Sequence, residues 1–121
     1  MLKAVLPKPP SINHIYGFTS KGGFARSYIT KEGKDWFEEA GLLLKAQIKR
    51  KKLITSDLEV TIDLYTARRQ DVDNIIKPIL DLLQKTGLIE NDSQIYRLTV
   101  EKYKTKVADQ RVEISLWGYE S

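Results

Sequence analysis

Apolar and polar residues alternate strictly from Leu58 to Tyr65. Leu58, Val60, Ile62 and Leu64 fall on one side, and Glu59, Thr61, Asp63 and Tyr65 on the other. A period of two predicts a strand with one face in the core. Leu98 and Val100, then Val112, Ile114 and Leu116, repeat that period and predict two more strands, joined through residues 105–110 as a hairpin. Helical spacing governs two other stretches. Trp36, Phe37, Ala40, Leu43, Leu44 and Ile48 predict a helix from Thr30, its N-cap, to about Arg50. Ile75, Ile76, Ile79, Leu80, Leu82 and Leu83 predict a second, with Asp71, Asp73 and Asn74 at its start and Gly87 as its stop. Pro78 lies at or just inside the first turn, where it removes a backbone hydrogen bond or introduces a kink. Residues 1–6 form a short strand ended by Pro7, Pro9 and Pro10. Residues 11–24, with Gly17, Gly22 and Gly23, read as a mobile loop, and Arg26–Ile29 as another short strand. The order strand, strand, helix, strand, helix, strand, strand predicts an α+β fold. It is a single domain over residues 1–121, a mixed β-sheet with two helices packed on it.

Composition narrows the chemistry. The 121 residues contain no cysteine and a single histidine, His14. Disulfides, thiolate zinc sites, cysteine nucleophiles and histidine metal clusters are therefore excluded. No stretch reaches the roughly 20 apolar residues of a membrane span, and the first ten residues lack a signal-like apolar run, so a cytoplasmic protein is expected. Twenty Lys and Arg against 16 Asp and Glu give a net charge of +4. Basic residues cluster at Lys45, Lys49, Arg50, Lys51 and Lys52 and repeat at Lys102, Lys104 and Lys106. Solvated helix ends and a lysine-guarded edge strand account for such clusters; so does phosphate binding.

The densest chemistry lies in Arg68-Arg69-Gln70-Asp71-Val72-Asp73-Asn74-Ile75-Ile76-Lys77, followed after a helix by Gly87-Leu88-Ile89-Glu90-Asn91-Asp92-Ser93-Gln94-Ile95. Aspartates at i and i+2 on a strand-to-helix turn can converge. Two carboxylates about 5 Å apart repel by roughly 3 kcal/mol at an effective dielectric of 20, so they need a proton, a cation or separation by the fold. Without histidine or cysteine nearby, hard oxygen ligands favour Mg²⁺ or Mn²⁺. The plainer roles are helix capping for Asp71 and Asp73, a turn for Asp92, and an i, i+4 ion pair with Asp73 or Asp81 for Lys77. The Gly17–Gly22 spacing lacks the lysine of a phosphate loop, and no dinucleotide fingerprint occurs.

The run Asp71-Val72-Asp73-Asn74-Ile75-Ile76-Lys77, with Asp81-Leu82-Leu83, Gly87-Leu88-Ile89 and Asn91-Asp92-Ser93-Gln94-Ile95, resembles the signature of the RusA family of Holliday junction resolvases, often carried by prophages. Pro9-Pro10-Ser11-Ile12-Asn13-His14-Ile15-Tyr16 resembles that family's opening motif, and the likeness spans nearly the whole chain. It implies a Mg²⁺-dependent, structure-selective endodeoxyribonuclease that resolves four-way junctions by paired nicks in DNA recombination and repair, with Mn²⁺ as a possible substitute. Asp71, Asp73 and Asp92 then hold the metal, Lys77 is the catalytic lysine, and the protein works as a homodimer. Asn91 departs from the acidic residue found there in many relatives.

Asn13, Lys21, Arg26, Arg68, Arg69 and Asn74 are the expected DNA contacts. Tyr16, Phe18, Phe24 and Tyr28, interleaved with the first cations, could stack on bases, although Phe24 and Tyr28 fit a role in the sheet or core better. His14 is expected in a loop or facing DNA. The alternative is a non-catalytic junction- or fork-binding module whose aspartates serve only as caps.

Overall fold

The computed structural model of the chain describes residues 1–23, 25–50 and 52–120, and of Lys21 only the backbone. Phe24, Lys51 and the Lys21 side chain, all singled out in the sequence, therefore lie outside the described residues.

The alternating segment forms the central strand. We number the elements β1 (Leu2–Leu6), α1 (Ile12–Ile15), β2 (Tyr16–Thr19), β3 (Arg26–Ile29), α2 (Lys31–Gln47), β4 (Leu58–Thr66), α3 (Ile76–Lys85), β5 (Ile95–Lys104) and β6 (Arg111–Gly118). The main sheet has the order β1-β6-β4-β5. β6 runs antiparallel to both β1 and β4, whereas β5 runs parallel to β4. The sheet is mixed, as expected. One face of β4 is buried at every second residue, and it meets Trp36, Ala40 and Leu44 of α2 and Ile79, Leu82 and Leu83 of α3 in one core.

The expected hairpin of the last two strands is not formed. β5 and β6 flank β4 on opposite sides, and the chain between them crosses the C-terminal end of β4. There Thr105 N–H donates to the Thr66 carbonyl at 3.1 Å, and Gln110 Oε1 accepts from Ala67 N–H at 3.0 Å. Both strands alternate, and alternation alone does not say whether a third strand lies between them.

Residues 11–23 carry regular structure where a loop was expected. They hold α1 and β2, and β2 pairs with β3 in a separate two-stranded sheet, so Arg26–Ile29 does not join the main one. Gly17 faces Tyr28 in that ladder, with the tyrosine ring lying over it so closely that a Cβ would collide. Tyr28 thus packs on its own hairpin, as its weaker functional claim suggested.

Both long helices start and stop for local reasons. Thr30 caps α2, its Oγ1 accepting from Gly33 N–H at 3.0 Å. The second helix is split into a 3-10 turn (Val72–Ile75) and α3. Pro78 has no N–H for the Asn74 carbonyl, so a regular α-helix cannot begin earlier, and as the third residue of α3 it sits where missing donors are tolerated. At the far end Gly87, with φ +75°, donates to the Gln84 carbonyl while Leu88 donates to the Leu83 carbonyl, which closes the last turn of the helix.

Candidate active site

The segment Arg68–Asn74 leaves the C-terminal end of β4, and its first residues are fixed by a polar network. Thr66 Oγ1 accepts from Lys8 Nζ at 2.9 Å and from Arg68 N–H at 3.2 Å. Lys8 Nζ also reaches Gln110 Oε1 at 3.4 Å, and Lys102 Nζ donates to the Gln70 carbonyl at 2.9 Å. A cleft of about 700 Å³ opens here, walled by Lys8, Arg68, Arg69 and Lys102 and reached by His14, Glu32, Gln70, Asp71 and Asn74. Four cations, Lys8 and Lys102 held by hydrogen bonds and Arg68 and Arg69 exposed, outnumber two carboxylates, a balance suited to phosphate oxygens. Burial, and secondarily the neighbouring Arg68 guanidinium, push the Lys8 ammonium below its ordinary range, so an anion entering the cleft would be met by a cation short of counter-charge.

Asp71 stands on that cleft wall, exposed, at the N-cap position of the 3-10 turn, yet its side chain makes no capping bond. Asp73 is exposed one residue into the turn. The pair therefore presents two carboxylates at the start of α3, as the spacing suggested, and capping does not explain Asp71. Among the described residues, neither they nor Asp92 enters an ion pair.

Asp92 lies elsewhere. It opens the 3-10 turn Asp92–Gln94, which leads into β5. Because β5 is parallel to β4, with Ile95 opposite Leu58, this turn sits at the N-terminal end of β4. Asp92 N–H donates to Gln84 Oε1 at 3.4 Å, near the C-terminus of α3. The ten residues of α3, about 15 Å of helix, separate it from Asp71 and Asp73. Among the described residues, no three His, Asp or Glu side chains are close enough to share a metal ion. The donor chemistry suits a hard cation, and Asp71 and Asp73 are two residues apart on one exposed turn while Asp92 is at the other end of α3.

The Asp92 turn is tightly held. Asn91 caps it through Ser93 N–H at 2.8 Å, and Gln94 Oε1 accepts from Glu90 N–H at 2.8 Å and Asn91 N–H at 2.9 Å. The buried Gln94 amide also donates to the Ile54 and Ser56 carbonyls, both at 2.9 Å. Asn91, where relatives often carry an acid, is thus the cap itself.

Lys77 is the second residue of α3, at the Asp71–Asp73 end. Its ammonium pairs with Asp81 Oδ2 at 3.0 Å and stands 4.5 Å from the centroid of the Tyr16 ring. The i, i+4 partner is Asp81, not Asp73. Of the expected DNA contacts, Arg68, Arg69 and Asn74 share the cleft. Exposed Asn13 is on α1, and exposed Arg26 opens β3 opposite Thr19; neither lines the cleft. Lys8 and Lys102 were missed as cleft residues. Lys8 follows the first strand among prolines, and only the folded sheet brings it to the end of β4.

Known proteins agree with this assembly of parts. The family described as endodeoxyribonuclease RusA matches residues 7–116. The chain is similar to the crossover junction endodeoxyribonuclease rusA of Enterobacteria phage HK97, 31% identical over 97% of this chain and 94% of the relative. It is also similar to the crossover junction endodeoxyribonuclease RusA of Aquifex aeolicus, 31% identical over 80% of this chain and 75% of the relative. With its acidic turn, its cationic cleft and a match over nearly its whole length, the chain belongs to the RusA endodeoxyribonuclease family.

Proposed function

We propose that this protein is a Mg²⁺-dependent, structure-selective endodeoxyribonuclease that resolves four-way DNA junctions by paired nicks, working as a homodimer. The observation that carries the reading is Asp71 on the wall of a cleft lined by Lys8, Arg68, Arg69 and Lys102. The crossover junction activity named for its two relatives supplies the substrate class. The cations hold the phosphodiester while exposed Asp71 and Asp73 offer hard oxygen donors beside it. A bound divalent cation would lower the pKa of a coordinated water and polarise the phosphoryl group. Lys77 balances charge developing on the phosphate or the leaving oxygen.

The homodimer reading is supported by the position of Asp92. Asp71 and Asp73 lie at one end of the β4–α3–β5 unit and Asp92 at the other, and β5 is an edge strand carrying exposed Tyr96 and Leu98. A second copy paired antiparallel along β5 would set its own Asp92 end beside Asp71 and Asp73, twice, across a two-fold axis. Each metal site is then completed by the partner.

The test uses a labelled four-way junction with Mg²⁺ or Mn²⁺. Wild-type protein should nick it symmetrically and leave a linear duplex intact, while Asp73→Asn and Asp92→Asn are each inactive. Co-expressed with different tags and purified as a mixed dimer, the two variants should recover nicking, because one site then has all three aspartates. An active wild type with a dead mixed dimer would overturn the shared site. Tight junction binding by the wild type without cutting would favour a non-catalytic binding module.

A further inference from the structure

We infer that Tyr16 and Asp81 are positioning residues for Lys77. The inference rests on the reading of Lys77 as part of the chemistry. Tyr16 Oη and Lys77 Nζ both donate to one oxygen, Asp81 Oδ2, at 2.5 and 3.0 Å. The same ammonium stands 4.5 Å from the tyrosine ring centroid, so the lysine is held by a carboxylate and a π-face together. A solvated helix pair requires no such third member. Tyr16 is only 8% exposed, and Asp81 is far less exposed than Lys77, with side-chain values of 23% and 55%. The anchoring groups are thus sheltered and the amine faces solvent, the arrangement expected where a cation is aimed at something outside the chain.

Tyr16 is itself held through its ladder partner Ile29 and the two residues before it. Thr30, the cap of α2, donates its hydroxyl to the His14 carbonyl at 2.5 Å, and Thr30 N–H donates to the Ile15 carbonyl at 2.8 Å. Ile15 is fully buried. The amine on α3 is therefore referenced to α2 through the first strand of the small sheet, which ties the opening motif of the sequence to the acidic one. Burial first, and then the bond to Asp81, raise the Tyr16 phenol above its ordinary range, which keeps it a donor at neutral pH.

The groups facing Lys77 and Tyr16 define the test. Asp81→Asn keeps the shape and removes the charge; Tyr16→Phe keeps the ring and removes the donor. Junction cleavage is followed at saturating and limiting substrate, with melting temperature measured beside it. Asp81→Asn should lower kcat about tenfold with KM unchanged, and Tyr16→Phe should lower kcat by less. In the Lys77→Ala background Asp81→Asn should have no further effect, a coupling that a purely structural role does not produce. Unchanged kcat in both variants, an equal fall in the Lys77→Ala background, or a rise in kcat would each overturn the inference; a rise would mean that the contact parks the lysine. If Asp81→Asn fails to fold, Tyr16→Phe alone decides, by the same coupling to Lys77→Ala. Should Lys77→Ala cut at the wild-type rate, the role of Lys77 itself falls, and this inference with it.

Discussion

The two ends of α3 carry carboxylates on opposite terms. At its C-terminal side Asp92 rides a turn interlocked by Asn91 and Gln94, whose bonds span residues 54 to 94. At its N-terminal side Asp71 and Asp73 stand on a turn closed by backbone bonds alone, Asn74 N–H to the Asp71 carbonyl at 3.2 Å and Ile76 N–H to the Asp73 carbonyl, with no side-chain cap. One carboxylate is placed by the fold in advance, while the other two are presented on a lightly tethered segment beside a cationic cleft. On the proposed reading, such a segment is ordered by the phosphate that binds in the cleft, and Asp92 is the pre-set counterpart from the other end of the unit.

That contrast can be broken at either end. The largest effect should come from the acidic pair, where Asp73→Asn is expected to cut junction cleavage by about 10³-fold, in the range found when a group acting on the transition state is removed. Melting temperature should stay at or above the wild-type value, since no structural bond is lost and a mutual repulsion is relieved. Gln94→Ala should do the reverse. It strands the Ile54 and Ser56 carbonyls and two N–H groups and should cost about 2–4 kcal/mol in urea unfolding; activity should fall mainly through loss of folded protein. Equal destabilisation by both variants would erase the contrast.

Two smaller effects sharpen the cleft end. Arg69→Ala should weaken junction binding uniformly across sequences and lower the slope of log affinity against log salt by about 1. The subtlest concerns Lys8. Its ammonium is disfavoured by burial and then by Arg68, so Arg68→Ala should raise the Lys8 pKa without restoring its ordinary value, a change visible in the carbon resonance at Cε. The sign is fixed by linkage. A lysine depressed in the native state is a stability penalty at neutral pH that disappears as pH rises through the folded and then the unfolded pKa, so Arg68→Ala should narrow the gap between stability at neutral and at alkaline pH.

Much of this was legible from residues alone, for identifiable reasons. β4 is buried on one face only, so its alternation is written openly at Leu58, Val60, Ile62 and Leu64. Thr30 and Gly87 mark helix ends because the backbone there needs a side-chain acceptor or a positive φ. The hairpin was misread because pairing partners are a tertiary property; Thr66 and Gln110, which route the chain over the end of β4, carry no local signal. The acidic pair was legible because its members are two residues apart. Asp92 was legible as a motif but not as a location, because its distance from Asp71 depends on β5 being parallel to β4. Lys102 showed only as one of three lysines at strand period, and Lys8, just past β1, had no pattern at all, so their meeting at the cleft was not legible.

The neighbours of β6 have a kinetic meaning. Leu2 pairs with Leu116 and Leu6 with Val112, so the first strand made in synthesis must wait for the last one to find its place. Closing a loop of more than one hundred residues before that pairing is rewarded is slow. Until β6 is made and paired, β1 and β4 both lack their antiparallel neighbour, and those strand edges are open to other chains. Expression yield should therefore depend on temperature and chaperone supply more than the stability of the finished protein would suggest.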